Sequence, residues 1–181
     1  MSRLAVLARD DAPAQAKPVL DSLFATFGFV PGLYRMMAQS PAALAGHAGL
    51  SRALALTLDP KTREAVALAV SQANGCGYGL SAHSYAAMNF AHLPPGEIAA
   101  SRAGGSSDPR RAAALQFARR VAETRGQLGD DDIAAVRAAG FSDAQMIELI
   151  GFTALTTMAN LIGHVGEPQI DFPIVPLETA A

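Results

Sequence analysis

Three side chains in the middle of the chain can exchange protons or act as nucleophiles: Glu64, Cys76 and His83. They lie in the segment REAVALAVSQANGCGYGLSAHSYAAMNF, residues 63–90, which has no other charged residue between Glu64 and His83. A carboxylate that contacts an imidazole fixes its tautomer and raises its basicity. A cysteine at the start of a helix favours the thiolate. The segment therefore indicates acid–base or thiol chemistry if the fold brings these groups together.

A helical hairpin would bring the carboxylate to the imidazole. Helices over 60–74 and 77–92 are predicted, with a turn at Asn74 and Gly75. Glu64 lies 11 residues before Gly75 and His83 lies 8 residues after it. At about 1.5 Å per residue, their levels along the hairpin differ by roughly 4–5 Å. We therefore expect Glu64 and His83 to meet.

Position 79 is better placed for His83 than Cys76 is. It lies one helical turn from His83 on the same face, whereas Cys76 lies roughly 10 Å away along the axis. A general base must reach its proton directly or through one water. Position 79 is a glycine, however, and offers no group to activate.

The segment resembles the signature of the carboxymuconolactone decarboxylase / alkylhydroperoxidase D-like superfamily, in its peroxidase-related branch. That signature has a glutamate, a Cys-x-x-Cys and a histidine at this spacing. Glu64, Cys76 and His83 match the glutamate, the first cysteine and the histidine, and Gly79 stands where the second cysteine belongs. The neighbouring residues, 77–78 and 80–82, are also similar to the superfamily's sequence.

The resemblance extends to both ends of the chain. Phe29-Val30-Pro31, followed by Ser40-Pro41, is similar to the superfamily's N-terminal helix pair. Asn160 and the triplet at residues 171–173 are similar to its C-terminal ending. The resemblance thus implies an all-α fold, a multi-helix bundle built around a central antiparallel hairpin.

The resemblance also implies an activity. In the superfamily, the paired cysteines reduce a hydroperoxide and close to a disulfide, while the glutamate and the histidine relay protons. It implies a thiol-dependent alkylhydroperoxidase, an antioxidant oxidoreductase of the peroxidase type, with Cys76, His83 and Glu64 as catalytic residues. The partners would be a small hydroperoxide and an external thiol reductant. Because the second cysteine usually attacks the peroxide, Gly79 predicts weakened or lost activity, which Gly79→Cys should restore without harming a helix.

Two alternatives remain open. One is a lyase similar to carboxymuconolactone decarboxylase, which should show further polar groups around its pocket, and the sequence offers few candidates. The other is a non-enzymatic oligomer that binds a small apolar ligand. His47, His92 and His164 have no evident partners in the sequence and are expected at the surface or at helix caps. No metal or other cofactor is expected, because a Glu–Cys–His set lacks recognisable zinc spacing.

Composition limits the remaining classes of function. The 181 residues suit a single domain over 1–181, and one cysteine allows no intrachain disulfide. The net charge of −2 provides no basic field for nucleic acid or for an anionic membrane. Charged residues make up only 17% of the chain. Such a low fraction predicts a surface buried against other subunits, and the resemblance implies a dimer, trimer or hexamer.

A cytoplasmic location is expected, since residues 1–11 have no apolar core long enough for a signal peptide. The apolar segment 146–165 is long enough to suggest a membrane span. It contains Glu148, Asn160 and His164, each costly in lipid, so a buried central helix is the better prediction.

Helix punctuation predicts the elements. Capping residues precede prolines at 40–41, 59–60 and 108–109, and Ser142 with Gln145 forms a capping box. Strand patterns are nearly absent. The predicted helices cover residues 14–27, 33–39, 41–57, 60–74, 77–92, 94–103, 109–125, 130–139 and 143–165.

Overall fold

The computed structural model describes residues 2–177, and within that range it contains nine α helices and no strand. All nine predicted helices are present, each boundary lies within three residues of its predicted position, and the all-α class is confirmed. The helices are α1 (Lys17–Phe27), α2 (Gly32–Met37), α3 (Pro41–Leu54), α4 (Pro60–Ala73), α5 (Gly77–Asn89), α6 (Pro95–Arg102), α7 (Pro109–Thr124), α8 (Asp130–Ala138) and α9 (Asp143–Gly166).

The predicted caps hold the helix starts in place. Ser40, Asp59 and Asp108 each accept a hydrogen bond from a backbone N–H in the first turn of their helices, and proline follows each of them. Ser142 and Gln145 form the expected reciprocal capping box at the start of α9. These side chains satisfy N–H groups that a helix leaves unpaired at its N-terminus, which explains why local sequence places the boundaries well.

Helix α4 lies at the centre of the core. Residues 65–70 are all fully buried, and the helix contacts α5, α6, α7 and α9. An element buried on every side keeps almost no rotational or translational freedom. It therefore provides a rigid support for Glu64 at its first turns.

Helix α9 is, among the described residues, the one long and apolar enough to cross a membrane, with 24 residues and an 18-residue stretch of mean hydropathy 1.4. Length and composition of this kind are also typical of core helices. In the structure α9 contacts α2, α3, α4, α5 and α7, and Asn160 is buried among them. These contacts support the prediction of a central helix.

The hairpin between α4 and α5 turns at Gly75, whose φ of +67° is left-handed. The chain after α9 then runs without regular structure over α2 and α5. Asp171 accepts hydrogen bonds from the Gly32 N–H at 2.7 Å and from the Tyr78 hydroxyl at 2.8 Å. Phe172 is buried beside it. The C-terminal segment is therefore part of the packed structure around the hairpin.

Candidate functional site

Glu64 and His83 form the predicted contact. The Oε2 atom of Glu64 lies 2.9 Å from Nδ1 of His83, and both side chains are partly buried, at 20% and 29% exposed. A carboxylate can only accept a hydrogen bond, so Nδ1 carries the hydrogen and donates it. The lone pair of neutral His83 is then on Nε2. This tautomer makes His83 a base whose orientation Glu64 fixes.

The dyad opens on a cavity of about 300 Å³, which both side chains line. Its wall is mostly apolar and comes from α1, α2, α3, α4, α5, α9 and the C-terminal segment. The larger apolar lining residues are Leu23, Phe27, Leu33, Phe152, Leu155 and Phe172. A cavity of this size, at the lower end of the usual range for ligand sites, suits a small and largely apolar molecule.

Gly79 lines the same cavity, one turn before His83, but the space beside it is occupied. A β-carbon at position 79 would lie 2.4 Å from Nδ2 of Asn160 and 2.7 Å from Oγ of Ser71. Asn160 Nδ2 also donates a hydrogen bond to Ser71 Oγ at 3.3 Å. An amide and a hydroxyl therefore fill the place where the superfamily's second cysteine would project. Gly79→Cys therefore requires the side chains of Asn160 and Ser71 to shift, and its effect on folding stays a prediction.

Cys76 is 3% exposed and is not among the residues that line the cavity. It is the N-cap of α5, where its Sγ accepts a hydrogen bond from the Gly79 N–H at 3.4 Å. Burial raises the pKa of Cys76, and hydrogen bonds to the sulfur only partly oppose this. The expectation that the helix start favours a thiolate is therefore wrong, because desolvation of the sulfur has the larger effect.

Two further polar side chains, which the sequence did not single out, line the cavity: Tyr34 on α2 and His47 on α3. Their rings contact edge to face, with centroids 5.7 Å apart. His47 is 6% exposed, so its expected place at the surface or at a cap is wrong, whereas His92 and His164 are exposed as expected. Neither residue carries a motif, and only the packing of α2 and α3 against the hairpin reveals them.

The electrostatic environment differs between these two groups. Burial, with Glu64 contributing, raises the pKa of Tyr34 to about 12. Burial, with His83 contributing, lowers the pKa of His47. Both side chains are therefore neutral at physiological pH, a phenol and an uncharged imidazole beside the dyad.

Arg63 also lines the cavity, but its guanidinium is held by backbone carbonyl groups. It donates to the Ala55 carbonyl and, at 3.1 Å, to the Leu58 carbonyl. Across residues 2–177, no cluster of three or more His, Cys, Asp or Glu side chains could hold a metal ion. The contact between Glu64 and His83 is an arrangement that can perform acid–base chemistry.

Comparison with known proteins finds a family pattern in the middle of the chain. The model of the carboxymuconolactone decarboxylase family matches residues 38–124. This part of the chain carries that family's pattern. The match includes Glu64, Cys76 and His83 and confirms the predicted superfamily resemblance. No curated protein matches the sequence significantly.

Solved structures share the superfamily's fold. An uncharacterised peroxidase-related protein from Ralstonia eutropha JMP134, described as an alkylhydroperoxidase AhpD core, has a TM-score of 0.83 at 23% identity, over 94% of this chain and 92% of that one. The debrominase Bmp8 has a TM-score of 0.80 at 24% identity, over 93% and 92%. A peroxidase-related protein from Silicibacter sp. TM1040 has a TM-score of 0.77 at 20% identity, over 92% and 89%. At these identities the similarity establishes the fold alone.

Proposed function

We propose that this protein is an acid–base enzyme that moves a proton on a carbon atom of a small, largely apolar molecule, as a lyase or an isomerase does. Glu64 and His83 would act as the base. The observation that carries the proposal is that this dyad opens on a cavity from whose lining Cys76 is absent. An apolar environment strengthens the electrostatic effect of the dyad on a bound substrate.

Two further observations support the proposal. The cavity carries the additional polar groups expected of a lyase, among them Tyr34, His47 and Asn160. A similar structure, of a cysteine-to-alanine variant of Bmp8, contains 2,3,4-tribromopyrrole, a small apolar ring. A ligand of that size and polarity suits the cavity described here.

Reduction of hydroperoxides by Cys76 with an external thiol is the second candidate. It is favoured by the position of Cys76 at the start of α5, where the Gly79 N–H donates to the sulfur. The route would form a sulfenic acid on Cys76, which the external thiol would have to reduce because the chain has no second cysteine. Its burial and raised pKa make this thiol slow to react.

One experiment separates the two candidates. The protein is incubated in D₂O with acetophenone, a small neutral ketone, and exchange of the methyl protons next to its carbonyl group is followed by NMR. In parallel, consumption of cumene hydroperoxide is measured with a dithiol reductant. We expect protein-dependent proton transfer that falls roughly 10²- to 10⁴-fold in His83→Gln and roughly 10- to 100-fold in Glu64→Gln.

Cys76→Ser is the matched control, since it removes the thiol and leaves the cavity lining intact. It should keep full proton-transfer activity. The proposal is wrong if acetophenone exchanges its methyl protons no faster than in buffer. Hydroperoxide turnover that is lost in Cys76→Ser would establish the thiol route in its place.

A further inference from the structure

We propose that Tyr34 and His47 form a pair of hydrogen-bond donors that binds a carbonyl oxygen, and that the substrates are small neutral ketones, aldehydes or lactones. This inference deepens the proposed function, on which it rests for the role of His83 as the base. It assigns to α2 and α3 the part of the site that would hold the substrate.

The donor role of His47 is inferred from its two ring nitrogens, neither of which has a hydrogen-bond partner within the described residues. Nδ1 of His47 is buried and has no partner among the described residues. A hydrogen on Nδ1 would be an orphaned buried donor, which proteins avoid, so the hydrogen belongs on Nε2. Nε2 likewise has no partner within residues 2–177, and it is the ring nitrogen left in contact with open space. His47 and Tyr34 line both the cavity of the dyad and a neighbouring cavity against α1. His47 therefore presents an N–H to a ligand.

Tyr34 presents a second donor beside it. Its hydroxyl has no hydrogen-bond partner within the described residues, and it is not sealed from open space. A phenol whose pKa is raised to about 12 keeps its hydrogen at any physiological pH. The edge-to-face contact with His47 fixes both rings relative to each other. Two neutral, oriented donors are the kind of group that stabilises an oxyanion as it forms.

The charges around the cavity favour a neutral carbonyl compound over a carboxylate. Glu64 lines the cavity and would repel a second carboxylate, while the Arg63 guanidinium is engaged with backbone carbonyls. The largely apolar wall suits the carbon skeleton of a ketone or a lactone.

The resulting step balances without any co-reactant. The lone pair on His83 Nε2 takes a proton from the carbon next to the carbonyl group. The electron pair of that C–H bond forms a C=C bond, and the C=O π pair moves to the oxygen. Tyr34 O–H and His47 N–H donate to this enolate oxygen. Return of the proton from His83 to the same or another carbon regenerates the base and gives exchange or isomerisation.

The test uses acetophenone labelled with ¹³C at its carbonyl carbon. Infrared spectroscopy of the bound probe reports hydrogen bonding directly, because donors shift the carbonyl stretch to lower wavenumber. We expect this shift in the unmodified protein and a partial loss of it in Tyr34→Phe and in His47→Leu. Each variant should also bind acetophenone roughly 2- to 10-fold more weakly, as loss of one hydrogen bond implies.

Matched controls keep the result specific. Tyr85→Phe removes a phenol hydroxyl outside the cavity lining and should leave the shift unchanged. His47→Gln retains an N–H donor and should recover part of the shift that His47→Leu loses. Circular dichroism of every variant confirms that it folds, and the Tyr34→Phe result stands by itself if His47→Leu does not.

The outcomes separate this inference from the proposed function. A bound ketone with an unshifted carbonyl stretch, or a shift of unchanged size in Tyr34→Phe, would overturn the donor pair. Failure to bind acetophenone at millimolar concentration would also overturn it. A shift that is present and sensitive to both variants supports the donor pair. If the methyl protons of acetophenone then exchange no faster than in buffer, His83 as the base is wrong and the donor pair remains.

Discussion

Position 79 has lost more than a sulfur atom relative to the superfamily signature. Asn160 and Ser71 occupy the space that a side chain would need there, and Asn160 is held by a 2.9 Å hydrogen bond from Asn74. Because the neighbours fill this space, the site is adapted to glycine as a whole. A thiol at position 79 requires Asn160 and Ser71 to move away.

We therefore predict that Gly79→Cys alone is destabilising, by about 1–3 kcal/mol, because the added atoms overpack the site. Gly79→Cys combined with Asn160→Ala should recover most of that loss. Asn74 keeps Thr157 Oγ1 as a hydrogen-bond partner at 3.2 Å in the double variant. The measurement is the free energy of unfolding of both single variants and the double variant by denaturant titration.

After oxidation, the double variant should lose two thiols together, as a Cys-x-x-Cys pair does when it forms a disulfide. Asn160→Ala alone is the control for the loss of the amide. The overpacking explanation fails if Gly79→Cys is as stable as the unmodified protein, or if the two substitutions are simply additive.

At this scale the sequence predicted the members of the dyad but only part of their surroundings. The spacing of Glu64 and His83 within one hairpin was enough to predict their contact, because helix geometry is regular. Tyr34 lies 30 residues before Glu64, and His47 lies 36 residues before His83. Both are on helices that only tertiary packing brings to the cavity. The local periodicity of a sequence does not predict contacts between helices that are distant along the chain.

Among the elements, the helices follow local signals closely, whereas the connection after α6 depends on a buried charge. Glu97 on α6 is 8% exposed and accepts hydrogen bonds from the side chains of Ser106 and Ser107. Arg111 on α7 pairs with it at 3.3 Å. This network ties the loop between α6 and α7 to both helices. The sequence predicted the two helices but not the network, since proximity of these groups is a tertiary property.

The hydrogen bond from Ser106, followed by those from Ser107 and Arg111, lowers the pKa of Glu97 from 4.5 to about 2. A carboxyl group with a lowered folded-state pKa stabilises the protein fully above its unfolded pKa, and this contribution disappears as the pH falls through the folded value. We therefore predict that Glu97 contributes to stability above about pH 4.5 and progressively less down to about pH 2.

Urea unfolding at pH 7 and pH 3 measures this dependence. Glu97→Gln should lower the free energy of unfolding at pH 7 and should lower it much less at pH 3. Glu123→Gln, which removes an exposed partner of Arg119 on α7, is the matched control and should change little at either pH. Equal pH dependence in the two variants would contradict the assignment to Glu97.

For the molecule as a whole, α9 leaves an apolar stripe uncovered. Ile147, Ile150, Leu161 and Val165 are between 43% and 69% exposed and lie three or four residues apart around Ala154 and Met158. A stripe with this spacing is one face of a helix, and exposed apolar faces of this kind mark contact surfaces. The stripe is a candidate for the subunit contact surface that the low fraction of charged residues predicts.

We predict that the protein forms a homo-oligomer through this stripe. Light scattering at micromolar concentration should give a multiple of 18.7 kDa. Ile150→Glu combined with Leu161→Glu should reduce the mass to that of the monomer, because charges would be buried at the interface. Leu56→Glu is the control, since Leu56 is 89% exposed and lies outside the stripe. A monomeric mass for the unmodified protein would refute the prediction.

The lining of the cavity is divided between separate stretches of the chain. Glu64 and His83 lie within residues 38–124, the part that the family model matches, whereas Tyr34, Asn160 and Phe172 lie outside it. Mutation at the two ends of the gene can thus change the lining of the cavity while leaving Glu64 and His83 intact. Such a division would let related proteins differ in the ligand that they bind while they keep the same dyad. Relatives that share the hairpin would then share the dyad, but the hairpin alone would not identify their substrates.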